Sequence, residues 1–222
     1  MHISELTLHT QELQEEYQFY TRTLSLPLLQ ATTHAFTVQA GTTRLTFQHT
    51  AEETLYHFAW RIPSNQIEAA RAWLVTRSPL LRLEKQDEFS FQSWNSTSLY
   101  FRDPANHILE FIAHHDLENH SSEAFGPQSI LAVCEIGMAF ESVPEQVKVW
   151  QNTFGLAIYR GSLGENFAAV GDIYGLFITV QKGRNWFPTR SAAPISPVDI
   201  TIKGSPQRSQ QLTPYPYTIQ IH

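Results

Sequence analysis

Cysteine is almost absent: Cys134 is the only one in 222 residues. That excludes an internal disulfide and any zinc site built from several thiolates, and it leaves Cys134 to be read as a small apolar group on a buried strand. No apolar run reaches the length of a membrane span. Positions 1–20 hold Glu5, Glu12, Glu15 and Glu16 and no basic or long apolar stretch, so no signal peptide is visible and the expected compartment is the cytoplasm. Positive charge is also in short supply, with 15 Lys+Arg against 21 Asp+Glu, a formal net charge of -6 and no basic cluster. Nucleic acid and anionic membrane are therefore poor partners, and a small-molecule substrate is the better expectation. Low-complexity segments are missing too, and 42% hydrophobic with 16% charged residues is the balance of an ordinary globular protein.

What is present centres on residues 96–115, STSLYFRDPANHILEFIAHH. An alternating apolar run, the turn chemistry of Asp103-Pro104-Ala105-Asn106 and a second alternating run predict a hairpin. On its second strand Ile108, Glu110, Ile112 and His114 share one face. Glu110 is thus a carboxylate in the middle of an apolar strand, where it requires a partner, and a metal ion is one of the few that suffices.

Upstream, strand 2–9, helix 11–23 and strands 26–30, 35–39 and 44–49 make one βαβββ unit. Strand 55–62, a helix capped by Asn65 with Glu68 three residues on, and strands near 82–84, 89–94, 98–102 and 108–114 make a second. A third starts with strand 130–140 and the capping box Ser142-Val143-Pro144-Glu145, with Gly155 as the helix stop and closing strands at 167–170 and 176–181. SELTLHTQELQEEYQFYTRTLSLPL and CEIGMAFESVPEQVKVWQNTFGLAI share the same order of parts, each with a glutamate at the second position of its strand. Strands at 198–203 and 217–221 read as a shortened fourth unit. The expected class is α+β, with curled, mostly antiparallel sheets and helices on their convex face. The expected division is residues 1–116 as two paired units, 117–128 as a polar linker and 129–222 as the remainder.

The hairpin and the repeated units resemble the vicinal oxygen chelate superfamily, which includes glyoxalase I, fosfomycin-resistance and bleomycin-resistance proteins and extradiol ring-cleaving dioxygenases. The resemblance covers residues 1–182 and implies that units one and two share a curled sheet. It also implies metal ligands on the first and last strands of each unit: Glu5, His57 and Glu110, with Thr46 leaving a fourth place empty. Glu5 stands where the dioxygenases have a histidine, and His9, on the same face, is a candidate substitute. Carboxylate oxygens favour Fe(II) or Mn(II) over Zn, Ni or Co. Tyr100 and His114 are the expected proton-handling residues, and Arg61 a candidate for holding an anionic substrate. Glu135 matches Glu5, but with Phe177 read as its partner no second metal site is expected. Trp60, Trp73 and Trp150 belong to the core.

The resemblance implies a metal-dependent enzyme similar to the extradiol dioxygenases, acting on a small oxygenated, aromatic compound. Two alternatives stand beside it: a glyoxalase-like lyase or isomerase, and a metal-free binding protein of the bleomycin-resistance type. A second copy of the chain is a candidate partner.

Overall fold

A computed structural model describes residues 1–161, 163–204 and 207–222. Unit one comprises β1 (His2–Thr10), α1 (Leu13–Gln18) running into a π-helical turn over Phe19–Thr23, β2 (Leu28–Ala31), β3 (Ala35–Ala40) and β4 (Thr43–His49). Unit two comprises β5 (His57–Ile62), α2 (Ile67–Leu74), β6 (Phe89–Phe91), β7 (Ser96–Arg102) and β8 (Ile108–His114). In unit three are β9 (Ala132–Phe140), α3 (Val143–Phe154), β10 (Phe167–Asp172) and β11 (Gly175–Gln181). The closing segment, expected as a shortened fourth unit and called unit four below, has β12 (Val198–Lys203), β13 (Arg208–Gln211) and β14 (Tyr217–Ile221).

Local signals act largely as the residues dictate. Ser142 caps α3 by accepting the Glu145 N–H, and Gly155 ends it in the left-handed conformation at φ 66°. Asn65 does not cap α2; it bonds to Ser121 in both directions, pinning the 117–128 segment along the start of that helix. In place of the strand expected at 82–84 the chain turns, with Glu84 at φ 57°.

The units combine differently from the expectation. Two seven-stranded mixed sheets form, in the orders β13-β14-β12-β1-β4-β3-β2 and β10-β11-β9-β5-β8-β7-β6. Units one and four therefore build one sheet and units two and three the other, whereas units one and two were expected to pair. Burial explains the choice. Every residue of β5 and β9 is buried, so these two strands belong side by side in a sheet covered on both faces. β1 alternates buried with open positions and pairs antiparallel with β12, which also keeps exposed residues. Of the strand pairings, β1–β4, β5–β8, β9–β11 and β12–β14 are parallel and the rest antiparallel.

The main core holds aromatic rings from both sheets and α1. Trp60 lies edge-on to Tyr20 at 6.1 Å and to Phe58 at 5.1 Å, with Phe101 and Phe111 beyond it. Trp150 donates from Nε1 to Thr179 Oγ1 at 2.9 Å, so its indole is satisfied inside the core.

Unit one also meets the turn after β7. Glu16 is fully buried there: Oε1 accepts the Ala105 N–H at 3.3 Å, and Oε2 has no partner among the described residues. Asp103 beside it accepts from the Tyr20 hydroxyl at 2.9 Å and the His107 N–H at 2.8 Å. Burial first, then the Asp103 charge, holds the Glu16 carboxyl well above its usual 4.5. A carboxyl whose folded value is raised stabilises the fold fully below its unfolded value, and that contribution is lost as pH rises through the folded one. Glu16→Gln keeps the shape without the charge. It is expected to be more stable than the parent at alkaline pH by roughly 1–3 kcal/mol, the range for a buried group with incomplete partners. Urea unfolding at several pH values checks this: the gap between the two proteins should widen as pH increases from about 4.5, and a pH-independent gap would contradict it.

Candidate metal centre

The pocket-facing side of the β5–β9 sheet carries the chemistry. A cavity of about 280 Å³ opens there, with His57, Glu110 and Glu135 among its lining and Phe91, Trp94, Tyr100, Phe167, Trp186 and Phe187 as its aromatic walls. His57 begins β5, Glu110 is the third residue of β8, and Glu135 sits in β9 opposite Ala59, the ladder neighbour of Glu110. The central pairing of β5 with β9 thus brings units two and three together at three ionisable side chains. One ligating atom from each lies within 4.8 Å of the others, and all three residues are buried.

Orientation and protonation suit a cation. His57 Nδ1 lies 3.1 Å from the Ile108 carbonyl, which can only accept, so Nδ1 carries the proton and the Nε2 lone pair faces Glu110 Oε2 at 3.5 Å. Burial, with a smaller contribution from Arg184, lowers the imidazole to about 4, so it is neutral at neutral pH and the pair is not an ion pair. Burial raises Glu110 to about 7, opposed by the hydroxyls of Ser98 and Tyr100 that face it. Glu135 is held well above the carboxylate range, by burial first and by Glu110 second, and its Oε1 has no hydrogen-bond partner among the described residues. Two buried carboxyls with a neutral imidazole are costly as bare charges and suited to a divalent ion.

No family model matches this sequence, and no curated protein matches it. Solved structures do. A candidate dioxygenase from Bacillus subtilis is similar with a TM-score of 0.65 and 14% identity, over 100% of this chain and 84% of that one. Glyoxalase I from Zea mays is similar with a TM-score of 0.58 and 10% identity, over 99% of this chain and 91% of that one. The likeness is one of fold: this chain folds as these two proteins do, in the way the hairpin and repeated units led one to expect.

The strand register shows which positions of the units correspond. Two residues after His57, Ala59 pairs with Glu110; two residues after Glu135, Gly137 pairs with Ile178. Glu135 is therefore the unit-three counterpart of His57, and Ile178, which lines the cavity, is the counterpart of Glu110. Phe177, expected in that role, points the other way and packs on Trp150 in the core at 4.7 Å. Ile178 offers no ligating atom, so among the described residues this cluster has His57, Glu110 and Glu135 as its possible donors.

Glu5 is not part of this cluster. It lies in the other sheet, about half exposed, 3.7 Å from Arg44 and within 3.4 Å of Thr201. Across the ladders from Thr7, the next residue on its face, lie Thr46 of β4 and Asp199 of β12. His9 belongs to the same distant sheet and does not reach the cluster. Tyr100 faces the site directly: it is the ladder partner of Glu110, and its ring lies 6.1 Å from that of His57. Burial and the two glutamates raise its phenol well above the usual 10, which keeps it a proton donor. His114 lies further along β8, outside the cavity lining but next to Cys134 and Glu135. Arg61 stands over Tyr174 and donates to its carbonyl, away from the cavity.

The residues that sequence reasoning missed come from the segment 182–197, the strap joining β11 to β12. Arg184, Trp186 and Phe187 all line the cavity. Trp186 packs against His57 at 5.3 Å, its indole N–H has no acceptor among the described residues, and a Cβ on Gly137 would meet its ring at 2.5 Å. Glycine at 137 is the one hint of that close approach.

Proposed function

We propose that the protein is a metal-dependent enzyme in which His57, Glu110 and Glu135 hold one divalent ion, Fe(II) or Mn(II) by donor preference. Its substrate is a small aromatic compound with two neighbouring oxygens, and the reaction is ring cleavage of the extradiol type. The observation that carries this reading is the buried, mutually close set of one imidazole and two carboxyls inside an aromatic-walled cavity. The fold shared with the Bacillus subtilis protein named as a dioxygenase leans the same way.

A divalent ion bound there supplies Lewis acidity and a chelating point for adjacent substrate oxygens. The chain supplies the rest. Trp186, Phe187 and Phe91 clasp an aromatic ring and exclude water. Arg184, placed over the Phe167 ring and half-buried, offers a cation for an anionic substituent. Tyr100 donates a proton or hydrogen bond to a substrate oxygen beside Glu110. A second reading rests on Glu135 Oε1: an unpartnered carboxylate oxygen with high proton affinity can act as the base of a glyoxalase-like isomerase or lyase.

Elemental analysis and turnover under air and under nitrogen separate these readings. The lead reading expects about one Fe(II) or Mn(II) per chain and catechol consumption only with oxygen. Glu135→His keeps that activity, since it retains a ligand, and abolishes one in which Glu135 is the base. Oxygen-independent turnover of an α-oxoaldehyde thiol adduct would select the second reading. Arg184→Ala is expected to raise KM for an anionic catechol by ~10–100-fold with less change in kcat, as loss of one charged hydrogen bond implies. An unchanged KM would remove Arg184 from the site. No metal and no turnover leaves a metal-free binding protein.

A further inference from the structure

β9 carries an irregularity at the site. Ala59 pairs with Glu135 but Trp60 pairs with Val133, so Cys134 is an extra residue in the ladder. In a bulge two successive residues oppose one, and their side chains can both leave the sheet on the same side. Cys134 accordingly packs with Ala59, Ile112 and Trp94 on the cavity side, next to Glu135. His114 reaches the same place from β8. It is 1% exposed, and neither ring nitrogen has a hydrogen-bond partner among the described residues. An imidazole this deeply buried with both nitrogens idle is unusual, because such groups normally find a protein or water partner.

One ligating atom each of His114, Cys134 and Glu135 lies within 4.8 Å of the others. Donors around a tetrahedral zinc-class ion are about 3.5 Å apart, so side-chain adjustments on the order of 1 Å close the set. The thiol's present contact, donation to the Ala59 carbonyl at 3.6 Å, is weak and easily given up. Arg61, Arg160 and Asp116 also act on His114. Arg160 is paired with Asp116 and Arg61 is engaged by Tyr174, so each arginine already has a partner of its own.

We infer that His114, Cys134 and Glu135 form a second cation site, selective for a thiophilic divalent ion of the zinc class, which shares Glu135 with the oxygen-rich site at His57 and Glu110. The thiolate and imidazole make this site the softer of the two, and the common carboxylate couples their occupancy. A zinc-class ion drawing Glu135 towards Cys134 weakens the hold of the other site on its own ion. Binding releases the Cys134 proton to solvent, and the fourth position is left to water.

Titrating the metal-free full-length protein with Co(II), followed by near-ultraviolet absorption, tests this directly, because only a thiolate ligand gives intense sulfur-to-cobalt charge transfer. The absorption should appear in the wild type and be displaced by Zn(II). It should be absent from Cys134→Ser, require at least ~10-fold more Co(II) in His114→Gln, and persist in Glu110→Ala, where the first site is disabled. Circular dichroism of each variant reports folding, and if Cys134→Ser does not fold, His114→Gln decides. A wild type without charge transfer overturns the inference, as does absorption that survives Cys134→Ser. Loss of absorption in Glu110→Ala overturns it too, since that means one shared site rather than two.

Discussion

Glu135→Ala is expected to lose the proposed metal ion, and Glu5→Ala to keep it. The first substitution removes one of three donors from a buried cluster; the second removes a half-exposed carboxylate from the other sheet. Loss of an outer-shell partner typically weakens metal binding by ~10–100-fold, and loss of a ligand should exceed that. Retention is also expected to depend on pH. Glu110 titrates near 7 and Glu135 above its ordinary range, so an incoming cation must displace protons, and affinity falls as pH drops below about 7. Metal content after dialysis, measured at several pH values for the wild type and both variants, checks the pair. Equal loss in Glu5→Ala and Glu135→Ala, or full retention in both, would mean that the ion is held elsewhere.

Gly41→Ala is expected to lower Tm by roughly 5–20 °C. Gly41 turns β3 into β4 at φ 59°, a conformation that costs an L-residue about 1–2 kcal/mol. Its missing Cβ matters more. A methyl there would overlap the backbone carbonyls of Ile130 and Leu131, which lead into β9, and backbone cannot rotate aside as a side chain can. Overpacking of this kind adds about 1–3 kcal/mol. The contact joins the two sheets: the Thr42 N–H donates to the Leu131 carbonyl at 2.8 Å, and Thr43 Oγ1 donates to Ile3 at 2.7 Å and accepts from Val133 at 3.0 Å. Gly155→Ala is the control. Its φ of 66° is as unfavourable, but nothing lies within 4 Å of the added methyl, so only the conformational part is expected. Equal melting temperatures for the two variants would show that the junction yields.

The repeating units were legible in the sequence because their signals are local: strand alternation, the Ser142 cap and the Gly155 stop each act over a few residues. The pairing of the units was not, since it depends on which strands bury both faces. Glu5 and Glu135 occupy the same place in the same pattern, and the local motif does not separate them. The run Ile136, Met138 and Phe140 interleaved with small residues is what lets β9 be covered on both sides, whereas His2, Glu5, Thr7 and His9 keep one side of β1 polar. The Cys134 bulge breaks the alternation on which face assignments rest, since strict alternation would turn Cys134 and Glu135 to opposite faces. Phe177 was misplaced by one residue, enough to exchange core for cavity in a strand. The strap carried no periodicity at all, and with it Arg184, Trp186 and Phe187 escaped notice.

That strap is bonded mainly to itself where it meets the cavity. Gly183 donates to Ala193, Ala193 to Arg184, and Trp186 to Ser191, so residues 183–193 form a small finger hinged at both ends on separate sheets. His57, Glu110 and Glu135 belong to ladders whose geometry the whole core enforces, while Trp186 and Phe187 ride on this finger's tip. The cavity wall can therefore change with a handful of tip residues while His57, Glu110 and Glu135 stay fixed in their ladders. Grafting a different tip between Arg184 and Ala193 is the economical way to reshape the cavity without moving those three side chains.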